Sequence, residues 1–331
     1  MPAQRGGSLD RGGGADYSHV PGTYRALAAI DLGIRATVTA GCRRMLDWVR
    51  DLAWSRFRRG PRSQGGQDGI LREIFRHIRT VNTPPCCVEF GFNSTTLTGG
   101  TGSNVASLVV ERGWQALLLD DTHENPAINL RRERLTSANA VEAFKANGVP
   151  ANPDYVSIDV DSTDLWIFRA LLGSFRASAY SVEYNAHFPL HLAVTCIDDP
   201  KVRWQGDRAY GASLRALVSV AGEHGYSLVA VEPGLDAFFV RNDLIDDGSA
   251  QIAPTLSHWR SATLLPVHPP VQDEERLAMF LDYDVWRRTG GDLGKARQSA
   301  RESCRMYLQA GTQALRIARI VDCLAGRWRR A

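Results

Sequence analysis

Apolar residues recur along this chain in short runs separated by polar, glycine- and proline-rich stretches, and from residue 67 onward two periods alternate. Compact, mostly apolar runs at 86–90, 116–119, 155–160 and 179–184 read as buried strands, and a further strand is placed at 128–135. Between them, apolar residues three and four apart predict helices over 68–80, 103–112, 138–147, 165–172 and 211–224. Gly148 and Pro150 stop the third of these helices, and Gly225 ends the last. Two final runs, 226–231 and 237–240, flank Pro233-Gly234 and predict an antiparallel hairpin.

Strands and helices alternating at this spacing build a parallel sheet with helices on both faces. The hairpin narrows the reading. Five parallel strands finished by an antiparallel pair are the layout of class I, Rossmann-like methyltransferases, whereas dinucleotide dehydrogenases continue with another parallel crossover. The expected fold class is therefore α/β, Rossmann-like, with helical N- and C-terminal extensions around a domain over 63–245.

The flanks differ in composition. Residues 1–22 are glycine-rich with few large apolar side chains, a pattern expected to be disordered. From 24 to 59, Met45, Leu46, Trp48, Val49, Leu52 and Phe57 recur at helical spacing among arginines. Such a basic amphipathic helix suits docking on its own domain, or peripheral contact with an anionic membrane surface. Residues 58–66 read as a Gly/Pro/Arg linker, which divides the chain at 1–62, 63–245 and 246–331. The tail 273–331 reads as two or three helices, with Leu277, Phe280 and Leu281 on an apolar stripe, and suits a lid, a homodimer surface or a partner site.

Charge and cysteine content refine this. Through Arg62 there are eleven Arg, no Lys and five Asp, a net +6 against +3 for the whole chain, so the remainder carries −3. That balance gives no reason to expect nucleic acid as a partner, and a small molecule is the expected substrate. The six cysteines show no CxxC spacing and read as reduced thiols. No run of about 18 apolar residues and no signal-peptide pattern is present, so a cytoplasmic location is expected.

Ligands of open α/β sheets sit at the carboxyl ends of the strands. The first strand ends in Glu89-Phe90-Gly91-Phe92-Asn93, and Gly99-Gly100-Thr101-Gly102-Ser103-Asn104 opens the next helix. Glycines there let backbone approach a ligand, and helix N-terminal N–H groups remain to bind it. A strict GxGxxG is absent, which argues against NAD or FAD. The second strand ends in Asp120-Asp121, where a carboxylate suits the two hydroxyls of an unphosphorylated ribose, as in S-adenosylmethionine. Glu89, Gly91, Asn93 and Asp120 are thus the cofactor-facing candidates.

The segments SQGGQDGILREIF (63–75), CVEFG (87–91), GWQALLLD (113–120), YVSIDVDSTDLWIFRAL (155–171), YSVEYN (180–185), YGASLRALV (210–218) and DAFFVRNDL (236–244) resemble, in order, FkbM-like methyltransferase-domain proteins. The resemblance implies an S-adenosylmethionine-dependent methyltransferase but no substrate, the family being largely uncharacterised. By position it implies Glu89 and Gly91 at the methionine part, Asp120 at the ribose, and Gln67 with Asp68 closing the pocket. Between Asp120 and Ile128 the chain departs from the pattern: THENPA stands where such domains hold a helix.

The fourth predicted strand ends Asp159-Val160-Asp161-Ser162-Thr163-Asp164 and the fifth Glu183-Tyr184-Asn185. Carboxylates gathered in one crevice repel one another unless a cation, a proton or a substrate amine offsets them. In one reading Asp159, Asp161, Glu183 and Asn185 hold Mg²⁺, which orients a hydroxyl and lowers its pKa; catechol-type O-methyltransferases look similar here. In the other, one carboxylate is a general base. A purely structural reading has Asp161 shaping the turn and Asp164 capping the following helix. One ion joins Asp159 and Glu183 only if their carboxylates lie within roughly 8 Å. His187 is a further candidate base, although a lone loop histidine is ordinarily a surface residue. Trp204 and Tyr210 fall in the loop that covers the crevice of this fold, where they suit substrate contact or loop packing.

Two function classes follow. The first is a methyltransferase acting on oxygen, less favourably nitrogen, of a small molecule or sugar. The second is a catalytically silent module of the same fold that binds a partner through its basic terminal helices.

Overall fold

The computed structural model describes residues 62–245 and 268–311. The glycine-rich start, the basic amphipathic helix and the apolar positions from Leu315 to Leu324 lie outside the described residues.

Within them the chain forms β1 (Cys86–Phe90), β2 (Gln115–Asp120), β3 (Leu130–Arg132), β4 (Tyr155–Ile158), β5 (Ala179–Glu183), β6 (Val194–Cys196), β7 (Tyr226–Val231), β8 (Asp236–Arg241) and β9 (Phe280–Asp282). The helices are α1 (Gln67–His77), α2 (Ala106–Arg112), α3 (Ala140–Ala146), α4 (Asp164–Leu172), α5 (Leu214–Glu223), α6 (Asn242–Ile245), α7 (Glu274–Leu277), α8 (Tyr283–Arg288) and α9 (Leu293–Cys304). Seven strands make one sheet in the order β3-β2-β1-β4-β5-β8-β7. The first five run parallel, and β8 enters antiparallel between β5 and β7. The expected Rossmann-like α/β sheet with its closing antiparallel pair is therefore present.

Strand alternation sorts the sheet's side chains into two cores. Val88, Phe90, Val156, Ile158, Tyr180 and Val182 face α3, α4 and α5, where Phe144, Phe168 and Leu217 meet them. Cys87, Tyr155, Ala179 and Phe238 face the opposite side, under Ile70, Leu71 and Ile74 of α1 and Leu108 of α2. Strands covered on both faces are almost continuously apolar, which is why a parallel sheet was legible in them.

The expectations fail at three places. The third strand shrinks to three residues after a short 3₁₀ turn (Pro126–Ile128), in which the Asn125 side chain accepts the Ala127 N–H. Residues 62–66 do not form a free linker. Arg62 O accepts the Ser103 N–H at 3.0 Å, and Asp68 Oδ2 accepts the Arg62 and Ser63 N–H groups at 2.9 and 3.2 Å.

The third difference is the largest. Phe280 and Leu281, expected on a helix, belong to β9, which pairs antiparallel with β6 as a second sheet. β9 and α9 close a third apolar cluster, containing Phe188, Val194, Cys196, Val202, Leu277, Phe280, Cys304 and Leu308. Buried Arg208 donates to the carbonyls of His268 (3.0 Å) and Ala310 (2.7 Å), and Arg276 pairs with Asp207. Trp166 of α4 sits edge-on to Tyr283 and Trp286 and donates its indole N–H to Cys196 O at 2.7 Å. The described part of the tail is thus a brace on the segment after β5. Replacing Trp166 by Ala is expected to cost about 3–5 kcal/mol, and hydrogen exchange should show protection lost first in 193–197 and 280–288.

Candidate functional site

The crevice lies at the carboxyl ends of β1, β4 and β5. It is walled by Gln64, Gln67, Glu89, Gly91, Thr101, Gly102, Asn104, Asp159, Glu183, Leu235 and Asp236, and its free volume is about 30 Å³. Its charges have one sign. Among the described residues lining it there are four carboxylates and no Lys, Arg or His.

Register explains the convergence. Glu89 pairs with Ser157 and Ser157 with Ser181, so the pleat sets these three in a row on the face beneath α1 and α2. One pleat further on, Asp159 and Glu183 follow, and Glu183 stands opposite Asp236 across the antiparallel pair. Glu89 is buried, and both its oxygens are used at the start of α2: by the Ser103 hydroxyl at 2.6 Å, the Asn104 N–H at 2.7 Å and the Val105 N–H at 3.4 Å. Burial nevertheless pushes its carboxyl up to about 7.

Asp159, Asp161 and Glu183 each offer an oxygen within 4.8 Å of the others. That meets the roughly 8 Å condition for a shared ion. Burial, then the Asp161 charge, raises Asp159 well above the ordinary carboxylate range; burial, then Asp159, does the same to Glu183; burial raises Asp161. Glu183 Oε2 is buried with no hydrogen-bond partner. Asp161 adopts a left-handed backbone, φ 55°. Asp164 accepts the N–H groups of Val160 and Ser162 at 2.8 and 2.9 Å, so it fastens the turn ahead of α4 as well as opening the helix.

Asn185 does not join that cluster. Its side-chain NH₂ donates to the carbonyls of Arg208 and Tyr210 at 2.9 and 2.8 Å, and its Oδ1 meets the N–H and Nδ1 of His187 at 3.0 and 2.9 Å. It is a fastener for the covering loop. His187 is buried, contrary to the surface position expected for it, and lies outside the crevice lining. Its ring centroid is 6.0 Å from Tyr210 and 5.6 Å from His268. Trp204, more than a third exposed, packs on Tyr210 and His268, so this loop holds an aromatic group.

The cofactor-side candidates divide. Gln67 lines the crevice, whereas Asp68 turns its Oδ2 to the backbone of Arg62 and Ser63 and lies outside it. Asn93, at φ 51°, acts through its backbone, donating its N–H to Asp120 Oδ2 at 2.9 Å. Asp120 Oδ1 is crowded by the Thr122 N–H and hydroxyl and by the His123 N–H and Nδ1, all within 2.8 Å. Burial would raise this carboxyl, but those donors outweigh it and hold it at about 2. Only Oδ2 keeps capacity for a ribose hydroxyl.

Of the crevice residues that the sequence did not single out, Asp236 and Asn104 matter most. Asp236 is 3% exposed, and its Oδ2 accepts the side-chain amides of Gln67 and Asn104, both at 3.1 Å. Burial raises its carboxyl to about 6 against those two hydrogen bonds. Asp236 begins a strand instead of ending a parallel one, and Asn104 closes the loop 99–104, where the sequence pointed to the glycines and the helix N–H groups and not to this side chain.

Gly91 has a structural reason of its own. A Cβ there would lie 1.5 Å from Asp159 O, at a φ of 77°. Gly91→Ala is therefore expected to destabilise by about 3 kcal/mol or more, measured by chemical denaturation without any ligand. No family model matches the chain, and no curated protein matches it.

Proposed function

We propose that the protein is an S-adenosylmethionine-dependent methyltransferase of the FkbM-like kind, acting on a hydroxyl, less favourably a nitrogen, of a small molecule or sugar. The observation that carries this reading is the four-carboxylate crevice without a counter-charge at the strand ends. The methionine end of that cofactor brings an ammonium and a sulfonium against a single carboxylate, so a crevice of raised-pKa carboxyls complements it. Strand order supports the same reading by analogy of fold. When bound, the cofactor supplies an electrophilic methyl group. Of the chain's own residues, Glu89 holds the start of α2, Gln67 and Asn104 set the crevice wall, and Asp120 Oδ2 takes one ribose hydroxyl. Asp159 or Glu183, each with a raised pKa, suits the general base for the acceptor.

The free volume of about 30 Å³ accommodates little more than a water, against several hundred Å³ for a cofactor pocket. Entry therefore requires the glycine loop 99–102 to part from 62–64, where a Cβ on Gly102 would lie only 2.5 Å from Gln64 N. The closed crevice and crowded Asp120 favour the second reading, a catalytically silent module of this fold. Calorimetry separates the two. Adenosylmethionine and adenosylhomocysteine should both bind, and Asp120→Ala should weaken them by about 1–3 kcal/mol. No heat at millimolar ligand leaves the silent module.

The spacing of Asp159, Asp161 and Glu183 favours a divalent cation as the partner that offsets them. In that case Mg²⁺ at several times its Kd should stabilise the protein by about 1–2 kcal/mol, read as a rise in Tm that EDTA reverses. Asp159→Asn should abolish the rise. A Tm indifferent to Mg²⁺ removes the metal reading and leaves the general-base and structural ones.

A further inference from the structure

Asp236 is held in the crevice wall through one oxygen alone. Its Oδ2 accepts two amide donors, Gln67 Nε2 and Asn104 Nδ2. Each donor is itself fixed. Gln67 Oε1 accepts the Gly65 N–H at 2.7 Å, and the second amide hydrogen of Asn104 goes to Ser157 Oγ at 3.0 Å. Ser157 continues to Ser181 (3.0 Å) and Ser181 to the Tyr155 hydroxyl (2.6 Å), so the chain is anchored in the interior of the sheet. A carboxylate held this way cannot rotate without breaking buried hydrogen bonds, and each break leaves a desolvated polar group.

The consequence falls on the other oxygen. Asp236 Oδ1 is buried and has no hydrogen-bond partner. Glu183, opposite Asp236 in the β5–β8 ladder, likewise has a buried oxygen without a partner. Two acceptor atoms at one end of a crevice that holds no basic residue lack only a donor carrying positive charge. An ammonium, with three donors and no acceptor, suits such an oxygen.

We propose that Asp236, fixed by Gln67 and Asn104, is an ammonium-binding site that takes the α-amino group at the methionine end of the cofactor. The site rests on the methyltransferase reading above. It assigns Gln67 a positioning role through Asp236, and it leaves Gln64 and Thr101 as the uncharged donors nearest the crevice for the α-carboxylate.

The test compares two nucleosides that share adenosine and a thioether. Adenosylhomocysteine carries the amino-acid end; 5′-methylthioadenosine lacks it. Calorimetry is run on the wild-type chain and on Asp236→Asn, in which the new amide oxygen still accepts from Gln67 and Asn104 while a donor replaces Oδ1. Wild type should bind adenosylhomocysteine more tightly than methylthioadenosine. Asp236→Asn should lose about tenfold or more in affinity for adenosylhomocysteine and none for methylthioadenosine, whose retained binding shows that the variant is folded. Unchanged adenosylhomocysteine affinity in the variant, equal losses for both nucleosides, or a wild type that does not discriminate between them overturns the site and leaves the cofactor reading standing. A wild type that binds neither nucleoside removes both.

Discussion

Everything in the crevice follows from the cost of placing carboxylates on one face of a covered sheet. Glu89, Asp159, Glu183 and Asp236 occupy neighbouring rows of the same pleat, so the backbone register brings like charges together in a desolvated place. A carboxyl moved from 4.5 to about 7, as Glu89 is, stands for about 3 kcal/mol of disfavoured ionisation. The surrounding structure offsets part of that cost with local donors. The hydroxyl and N–H groups at the start of α2 converge on Glu89, and two side-chain amides converge on Asp236. Among the carboxylates lining the crevice, Glu183 Oε2 and Asp236 Oδ1 are buried acceptors without a hydrogen-bond partner.

The same constraint explains the tight joint between β1 and β4. Gly91 must be a glycine because the carbonyl of Asp159 passes where a Cβ would stand, and this close approach carries Asp159 in beside Glu89 and Glu183. The glycine loop then folds back on 62–64, and Gln67 follows into the wall. Charge, backbone approach and closure are therefore one arrangement.

The loop after β5 is built differently. It has little regular structure of its own beyond β6 and is held from a distance by β9, α9, and the Arg208 and Arg276 contacts. Asn185 ties the other end of the loop by bonding the carbonyls of Arg208 and Tyr210. The tail residues at 280–310 pack on this segment, and none of them lines the crevice.

Much of the sheet was legible in the sequence because parallel strands and their helices are local patterns. Val88-Glu89-Phe90, Val156-Ser157-Ile158-Asp159 and Val182-Glu183 already display the alternation that puts the acids on one face. β6 and β9 were not legible, since three residues carry no detectable period and their partners lie more than eighty positions away. The roles of Asp68, Asn185 and His187 were equally hidden, because their neighbours are loop backbone atoms or each other, brought into place only by folding. Asp236 shows the limit most clearly. The sequence determined which residues end the parallel strands and so face a ligand; only the tertiary structure placed β8 antiparallel between β5 and β7, which turns the beginning of that strand, not its end, toward the crevice.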